Sequence, residues 1–293
     1  MVDWNKGLNS DIIGIPMEKL TPSWQSSCPL PEDQLAQLGS MGFVGTFKDY
    51  ENSEKYAELV EGKSIAYVCP SPHLKGQNMG EFIDSHDLVV RVNQNFAMPE
   101  HQWADYGKRT DILYNCLNIN KLNALSQNSE YLRSLKFIVC GNLSMWDLPR
   151  VITFLNSTGV PWHNMSDGYL FKLYKEVGTT CNTGLVGVID LLNYNIKKLY
   201  ITGMTFFNMN TFGKVYYDEY HDEAVKFNNF SNTKDKTPSI AELRMDIHSQ
   251  EPQIDYFRKV VDHYYPSKLE LDEFLKENFT HESSVHDSSP NGQ

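Results

Sequence analysis

Short apolar runs alternate along the chain with polar turns and with segments of helical periodicity. Because a strand that is covered on both faces is apolar along its whole length, these runs predict buried strands. The predicted strands span residues 64–69, 88–92, 111–115, 136–140 and 198–203. Helical patterns cover residues 49–60, 76–83, 183–194 and 254–263. This order predicts an α/β fold, with a Rossmann-like, doubly wound, mostly parallel sheet and helices on both faces.

The distribution of prolines and polar residues divides the chain into three parts. Residues 1–63, interrupted by prolines in their first half, are interpreted as an N-terminal extension whose final helix packs on the core. Residues 64–278 form the predicted globular domain. Residues 279–293, rich in Ser, His and Asp, are predicted to be a disordered tail. The polar and aromatic segment 208–237 fits either a mobile lid or a long surface loop.

Composition narrows the class of protein. The 293 residues include 26 Lys and Arg against 37 Asp and Glu, a net charge of −11, which argues against binding to a nucleic-acid backbone. No apolar run is long enough to span a membrane, and the first residues lack a secretory signal. The five cysteines form no C-x-x-C pair, which predicts reduced, mostly buried thiols. We therefore expect a cytoplasmic protein, or one that is otherwise soluble in a reducing compartment.

Two polar segments are interpreted as structural. Residues 83–87 (IDSHD) predict a buried polar network that fixes the first two strands, in which Asp87 can pair with Arg91. Residues 105–111 (DYGKRTD) predict a turn that contains an ion pair rather than a catalytic dyad.

Three segments are candidates for a ligand site. In an open α/β sheet, ligands bind beyond the carboxyl ends of the strands, where the turn 70–76, the loop 93–95 and the helix start 182–184 should meet. Asn182 and Thr183 carry N-cap chemistry, and the free N–H groups of a helix start suit a phosphate, although such a start is also common for purely structural reasons. No Walker, G-x-S-x-G, H-E-x-x-H or D-x-D motif is present.

Residues 65–110 resemble the large sialylmotif of the eukaryotic-type sialyltransferases. The matching segments are VCPSPHLKG (68–76), GEFIDSHDLVVRVN (80–93) and DYGKRT (105–110), in the order and spacing of the motif. The segments CNTG (181–184) and YITG (200–203) resemble the small sialylmotif. The chain is thus similar to a divergent, soluble member of this family.

The resemblance implies a single, GT-A-variant-like catalytic domain over residues 64–278. It implies inverting transfer of a nonulosonic-acid sugar (sialic acid, Kdn or Kdo) from a CMP-activated donor to a glycan hydroxyl. The expected partners are this CMP-sugar donor and the glycan acceptor. Neither a metal nor another cofactor is implied, and no nucleic acid or membrane span is expected.

The resemblance also implies site residues. The nucleotide would be held by Asn93, Asn182, Thr183 and Gly184, and His248, followed by Glu251, matches the family's general base. The remaining predicted donor-site residues are Ser71, His73, Asn115, Gly203, Tyr217 and His221.

The sequence departs from the family at several points. Pro70 and His73 stand where the first turn of the motif has two Asn residues, and Ile65 and Tyr194 stand near the positions of the family's motif-linking disulfide, which is therefore absent. We also expect no N-terminal membrane anchor. Two alternatives stay open: a catalytically degenerate protein that binds a nucleotide or glycan, which the altered turn favours, and a CMP-sugar hydrolase.

Overall fold

The computed structural model describes residues 47–93, 98–140, 148–165, 167–207 and 249–280. Most of the predicted N-terminal extension, the segment 208–237 and nearly all of the predicted tail lie outside these ranges. Tyr56 and Val60, on the helix that ends the extension, are fully buried against the rest of the chain.

A single sheet of seven parallel strands forms the centre of the described structure, in the order β5-β4-β3-β2-β1-β6-β7. The chain adds strands outward from β1 to β5 and then returns to place β6 on the other side of β1. This order confirms the predicted doubly wound α/β fold, and it puts a topological switch point between β1 and β6. The strands are β1 Ser64–Val68, β2 Leu88–Val92, β3 Ile112–Asn115, β4 Phe137–Cys140, β5 Trp162–Asn164, β6 Lys198–Thr202 and β7 Leu269–Leu271.

Helices connect the strands and cover the sheet. The described α-helices are α1 Phe47–Val60, α2 Gly80–Asp84, α3 Trp103–Tyr106, α4 Ile119–Ser126, α5 Ser129–Ser134, α6 Leu148–Thr158, α7 Asp167–Val177, α8 Thr183–Leu192, α9 Gln250–Tyr264 and α10 Glu273–Phe279. Short 3-10 helices span Pro72–Leu74 and Glu100–Gln102. Within the described residues, no helix is both long and apolar enough to cross a membrane.

Successive strand residues pack against opposite layers. On β1, Ile65 and Tyr67 belong to the large cluster that includes α1, α8 and α9, whereas Ala66 and Val68 pack with Ile83 of α2. Farther along the sheet, β3 and β4 pack on their second face against α4, α5 and α6. Both faces of the sheet are therefore covered, which explains why its strands are apolar at almost every position.

Several elements were not predicted. The three-residue strands β5 and β7 are too short to show a period, and helices α3 to α7 and α10 lie in segments without a clear helical pattern. Helix α9 begins at Gln250 rather than at residue 254, because Pro252 falls in the first turn, where a proline removes no helical hydrogen bond.

The prediction that the cysteines are mostly buried is confirmed for the described residues. Cys69, Cys140 and Cys181 are buried, Cys116 is half-buried, and none of these four forms a disulfide.

The two polar segments do form a network at the amino edge of β2 and β3. Asp84 accepts hydrogen bonds from the N–H groups of Lys108 and Arg109, at 2.9 and 3.1 Å. Arg109 also forms an ion pair with Asp111 at 2.8 Å, as the turn prediction required.

The suggested pairing of Asp87 with Arg91 is wrong. Asp87 accepts from the backbone N–H and the hydroxyl of Ser64, both at 2.8 Å. The buried guanidinium of Arg91 donates instead to the carbonyl oxygens of Tyr106 and Gly107, at 2.7 and 2.9 Å. Arg91 thus ties β2 to the turn that follows α3.

Candidate functional site

The carboxyl ends of β1 and β6 meet at the switch point with almost no space between them. The N–H of Cys69 donates to the carbonyl of Thr202 at 2.8 Å, which extends the pairing of the strands by one residue. Gly203 follows with φ of +76°, and a Cβ there would lie 2.2 Å from the carbonyl oxygen of Cys69. Only glycine fits this position, so the predicted site residue Gly203 lets the ends of β1 and β6 approach closely.

The first turn of α8 lies above these strand ends. A Cβ built on Gly184 would be in ordinary contact with Cys69 Sγ at 3.5 Å and with Met204 Cε at 3.7 Å. The hydroxyl of Tyr67 on β1 donates to the carbonyl of Gly184 at 3.0 Å. Thr183 is buried at the helix start. The first N–H groups of α8, which have no partners within the helix, are therefore held at the switch point.

Asn182 precedes α8, but its side chain does not cap the helix, so the predicted capping role is wrong. Its Nδ2 donates to Gln250 Oε1 at 2.9 Å, and its backbone N–H donates to Gln253 Oε1 at 2.8 Å. Its Oδ1 is buried and, within the described part of the chain, accepts no hydrogen bond. Because a buried acceptor without a donor costs about 1–3 kcal/mol, this oxygen is a ready contact for a ligand N–H or O–H group.

The start of α9 lies against the start of α8. Gln253 is fully buried, accepts from Asn182 as described, and donates from Nε2 to the carbonyl of Ser249 at 2.9 Å. The N–H of Ser249 donates to Thr179 Oγ1 at 3.2 Å. Two helix N-termini are thereby brought side by side, and the positive ends of their dipoles favour an anion at this place.

Gln253 is a residue that the sequence reasoning missed. The predicted partner of the base, Glu251, is exposed. The predicted base His248 and the predicted donor contacts Tyr217 and His221 lie outside the described residues. In the sequence, Gln253 is only one position of a helical pattern. Nothing in that pattern distinguishes it from an ordinary residue of the helix.

The turn after β1 is held by a buried polar cluster. Ser71 Oγ lies 3.2 Å from Nδ1 of His73, and Nε2 of His73 lies 2.7 Å from Oδ2 of Asp272. The ring nitrogens of His73 and the hydroxyl of Ser71 thus contact protein atoms in this structure. Their predicted contacts with a donor nucleotide stay predictions. Asp272 was missed because it follows β7, a strand that the sequence pattern does not show.

Asn93 and Asn115 lie at the carboxyl ends of β2 and β3. Asn115 is fully buried, with its Nδ2 donating to the carbonyl of Asn93 at 2.9 Å and its Oδ1 accepting from the N–H of Leu117 at 2.8 Å. Asn93 has φ of +56°, and its Oδ1 accepts from the N–H of Cys116 at 3.2 Å. Asn115 is therefore used in shaping the turn, whereas Nδ2 of Asn93 has no partner among the described residues.

Behind the site, α8 packs closely on the sheet over a buried polar chain. A Cβ on Gly187 would lie 2.2 Å from the hydroxyl oxygen of Tyr67. One turn further on, the carboxylate of Asp190 accepts from the hydroxyl of Tyr114 at 2.5 Å. The hydroxyl oxygen of Tyr114 also lies 2.5 Å from the hydroxyl oxygen of Tyr56. Burial raises the pKa of Asp190 to about 7.

The chain has structural likeness to sialyltransferases. The sialyltransferase CstII from Campylobacter jejuni, in complex with the substrate analogue CMP-3FNeuAc, is 18% identical with a TM-score of 0.48, over 74% of this chain and 85% of that chain. A mammalian sialyltransferase is 16% identical with a TM-score of 0.43, over 84% and 87%. An α-2,3-sialyltransferase from Campylobacter jejuni in apo form is 15% identical with a TM-score of 0.46, over 75% and 79%.

No family model and no curated protein matches the chain. At these low identities and TM-scores, the functional assignment rests on the residues of this chain.

Proposed function

We propose that the chain is an inverting glycosyltransferase that moves a nonulosonic-acid sugar from a CMP-activated donor to a glycan hydroxyl. The observation that carries this proposal is the convergence of the sialylmotif-like segments. The turn 70–76, Asn93, the start of α8 and Gly203 are far apart in the sequence, yet they belong to one edge of the sheet, around its switch point. That edge is where α/β sheets of this kind bind their ligands.

The proposed phosphate site is the start of α8. The N–H groups of Thr183 and Gly184, which have no acceptor within α8, and the dipole ends of α8 and α9 suit the phosphate of CMP. The buried Oδ1 of Asn182 would accept a hydrogen bond from a hydroxyl or amino group of the nucleotide. Nδ2 of Asn93 would donate a hydrogen bond to the nucleotide. Together these groups give a donor site of neutral side chains and backbone N–H groups.

The proposed chemistry needs a base and an anion site. The base removes the proton of the acceptor hydroxyl, whose oxygen forms a bond to the anomeric carbon while the bond from that carbon to the phosphate oxygen breaks. CMP leaves with the electron pair, and the start of α8 stabilises its charge. We assign the base to His248. Because the leaving group carries a single phosphate, the proposed reaction proceeds without a divalent metal.

The first experiment is a thermal-shift panel of CMP, CDP, UDP, GDP and NAD. A ligand that binds only the folded state raises Tm by mass action, and CMP should do so selectively. A larger shift with UDP or NAD, or none with CMP, would contradict the proposal. Binding is then followed by a turnover assay with CMP-sialic acid, CMP-Kdn and CMP-Kdo, each with and without glycan acceptors and in EDTA.

The same assay separates the alternatives. Acceptor-dependent release of CMP in EDTA supports the transferase. CMP binding with no turnover of any donor indicates a degenerate binding protein. CMP release that does not depend on any acceptor indicates a hydrolase.

A further inference from the structure

The carboxylate of Asp272 has more partners than its place in the fold requires. It follows β7 at the N-cap of α10, where its Oδ1 accepts from the N–H of Leu275 at 2.8 Å. Its Oδ2 accepts from three further donors: Nε2 of His73 at 2.7 Å, Oγ1 of Thr202 at 2.9 Å and the N–H of Gly203 at 3.1 Å. Capping needs only one oxygen, so the second oxygen serves another purpose.

The donors to Oδ2 come from two segments that border the candidate site. His73 lies in the turn after β1, and Thr202 and Gly203 end β6. Asp272 is 6% exposed and His73 is 9% exposed, so these hydrogen bonds lie largely out of water, where they are stronger than at a surface. One buried carboxylate thus joins the turn after β1, the end of β6 and the start of α10.

We infer that Asp272 is a positioning residue of the nucleotide site and that it acts through His73. This inference rests on the proposed function, since it assigns the turn 70–76 to the donor pocket. Nε2 of His73 faces the carboxylate of Asp272, and Nδ1 faces the hydroxyl of Ser71. Asp272 therefore fixes the orientation of the ring, and the ring fixes the turn.

The substitution Asp272→Ser tests this role. Serine keeps one oxygen that can cap α10. Its side chain is too short to accept the hydrogen bonds that His73, Thr202 and Gly203 donate to Oδ2 of Asp272. We expect the Kd for CMP, measured by titration calorimetry, to rise about tenfold, the effect of losing roughly one strong hydrogen bond from the folded pocket.

Asp111→Ser is the matched control. Asp111 is also a buried carboxylate and accepts from the N–H of Val89 at 2.8 Å, but it lies at the opposite, amino edge of the sheet. The control should lose stability against urea while its Kd for CMP stays within about twofold of the wild type. An equal loss of affinity in both variants would mean that general destabilisation, rather than positioning, explains the effect.

A double-mutant cycle with His73→Asn tests the route. If Asp272 acts through His73, the double variant binds CMP about as weakly as the weaker single variant, and the imidazole ¹⁵N signals of His73 shift in Asp272→Ser. Additive losses would overturn the route through His73. If the wild type binds CMP and Asp272→Ser binds it equally well, the inference alone fails. If the wild type binds no CMP, the proposed function fails and the inference falls with it.

Discussion

The hydroxyl of Tyr67 donates a hydrogen bond to the carbonyl oxygen of Gly184 at 3.0 Å, and so connects the central strand β1 to the first turn of α8. The contact is possible only because Gly187, one turn later, has no side chain: a Cβ there would lie 2.2 Å from the same hydroxyl oxygen. The position of the proposed phosphate site is therefore set by a buried core residue of β1.

Tyr67→Phe should weaken CMP binding while the fold is kept. Removing the hydroxyl leaves the ring packing intact but removes its hydrogen bond to the carbonyl of Gly184, so we expect the Kd for CMP to rise about threefold to tenfold. The free energy of unfolding should fall by about 1 kcal/mol.

The matched control for this variant is Tyr56→Phe. Its hydroxyl is also buried, but it contacts Tyr114 rather than the start of α8. Urea unfolding of Tyr56→Phe should show a similar loss of stability. Titration calorimetry with CMP should show no loss of affinity. Equal affinities for Tyr67→Phe and the wild type would show that the bond does not position the helix start.

Gly203→Ala should be among the most destabilising single substitutions in the described residues. It combines a left-handed backbone, φ of +76°, with a Cβ only 2.2 Å from the carbonyl oxygen of Cys69. We expect a loss of about 3 kcal/mol or more in urea unfolding, because the neighbouring strand backbone must move.

Gly159→Ala separates the two causes in that prediction. Gly159 has φ of +70°, but a Cβ there would have nothing within 4 Å. Its cost should be about 1–2 kcal/mol, from the backbone conformation alone. If both variants lose the same stability, the close approach of β6 to β1 is not what requires glycine at 203.

Gln253→Met should weaken CMP binding more than Glu251→Ala, which removes a nearby carboxylate. Methionine has a similar size, but it leaves the N–H of Asn182 without its acceptor and removes one hydrogen bond to the carbonyl of Ser249. We expect the Kd for CMP to rise about tenfold for Gln253→Met. Glu251 is exposed, and its variant should bind CMP like the wild type. The opposite order of affinities would restore Glu251 as the functional partner.

His248→Ala should abolish sugar transfer while CMP binding survives. A general base acts on the acceptor hydroxyl, so its loss should lower kcat by about 100-fold or more and leave the Kd for CMP almost unchanged. His263→Ala, at an exposed position in the last turn of α9, is the control and should keep full activity. A His248→Ala variant with near-normal kcat would remove this residue from the mechanism.

The sequence predicts the sheet better than it predicts the site. Apolar runs identify β1, β2, β3, β4 and β6, because these strands are buried on both faces and long enough to show it. Motif spacing predicts Asn93 and residues 182–184 as site residues. In the structure, Asn93 follows β2 and residues 182–184 begin α8, because strand ends and helix starts carry recognisable residue types.

What the sequence does not show is which polar residues meet across long distances. Asp272 and His73 are 199 positions apart, and Gln253 and Asn182 are 71 positions apart. Each pairing depends on how β7 and α9 dock on the sheet, which no local pattern encodes. The same holds for the ring nitrogens of His73, which contact Ser71 and Asp272.

Two buried titratable groups, Asp190 on α8 and His163 on β5, have pKa values shifted in opposite directions. Burial raises the pKa of Asp190 to about 7 and lowers the pKa of His163 to about 4. His163 packs against the rings of Tyr56 and Phe137, and its Nε2 has no hydrogen-bond partner within the described residues. In both groups the cause is the cost of placing a charge in an apolar interior.

These shifts predict opposite pH dependences of stability that nearly cancel between about pH 4 and pH 6.5. The folded state binds more protons than the unfolded state at Asp190, so that contribution falls as pH rises, by up to about 1.4 kcal/mol per pH unit. At His163 the folded state binds fewer protons, so its contribution rises by a similar amount. Urea unfolding across this range should therefore show a more positive slope for Asp190→Asn and a more negative slope for His163→Phe, relative to the wild type. The double variant should return to the wild-type slope, and single variants with unchanged slopes would show that neither group titrates as its burial requires.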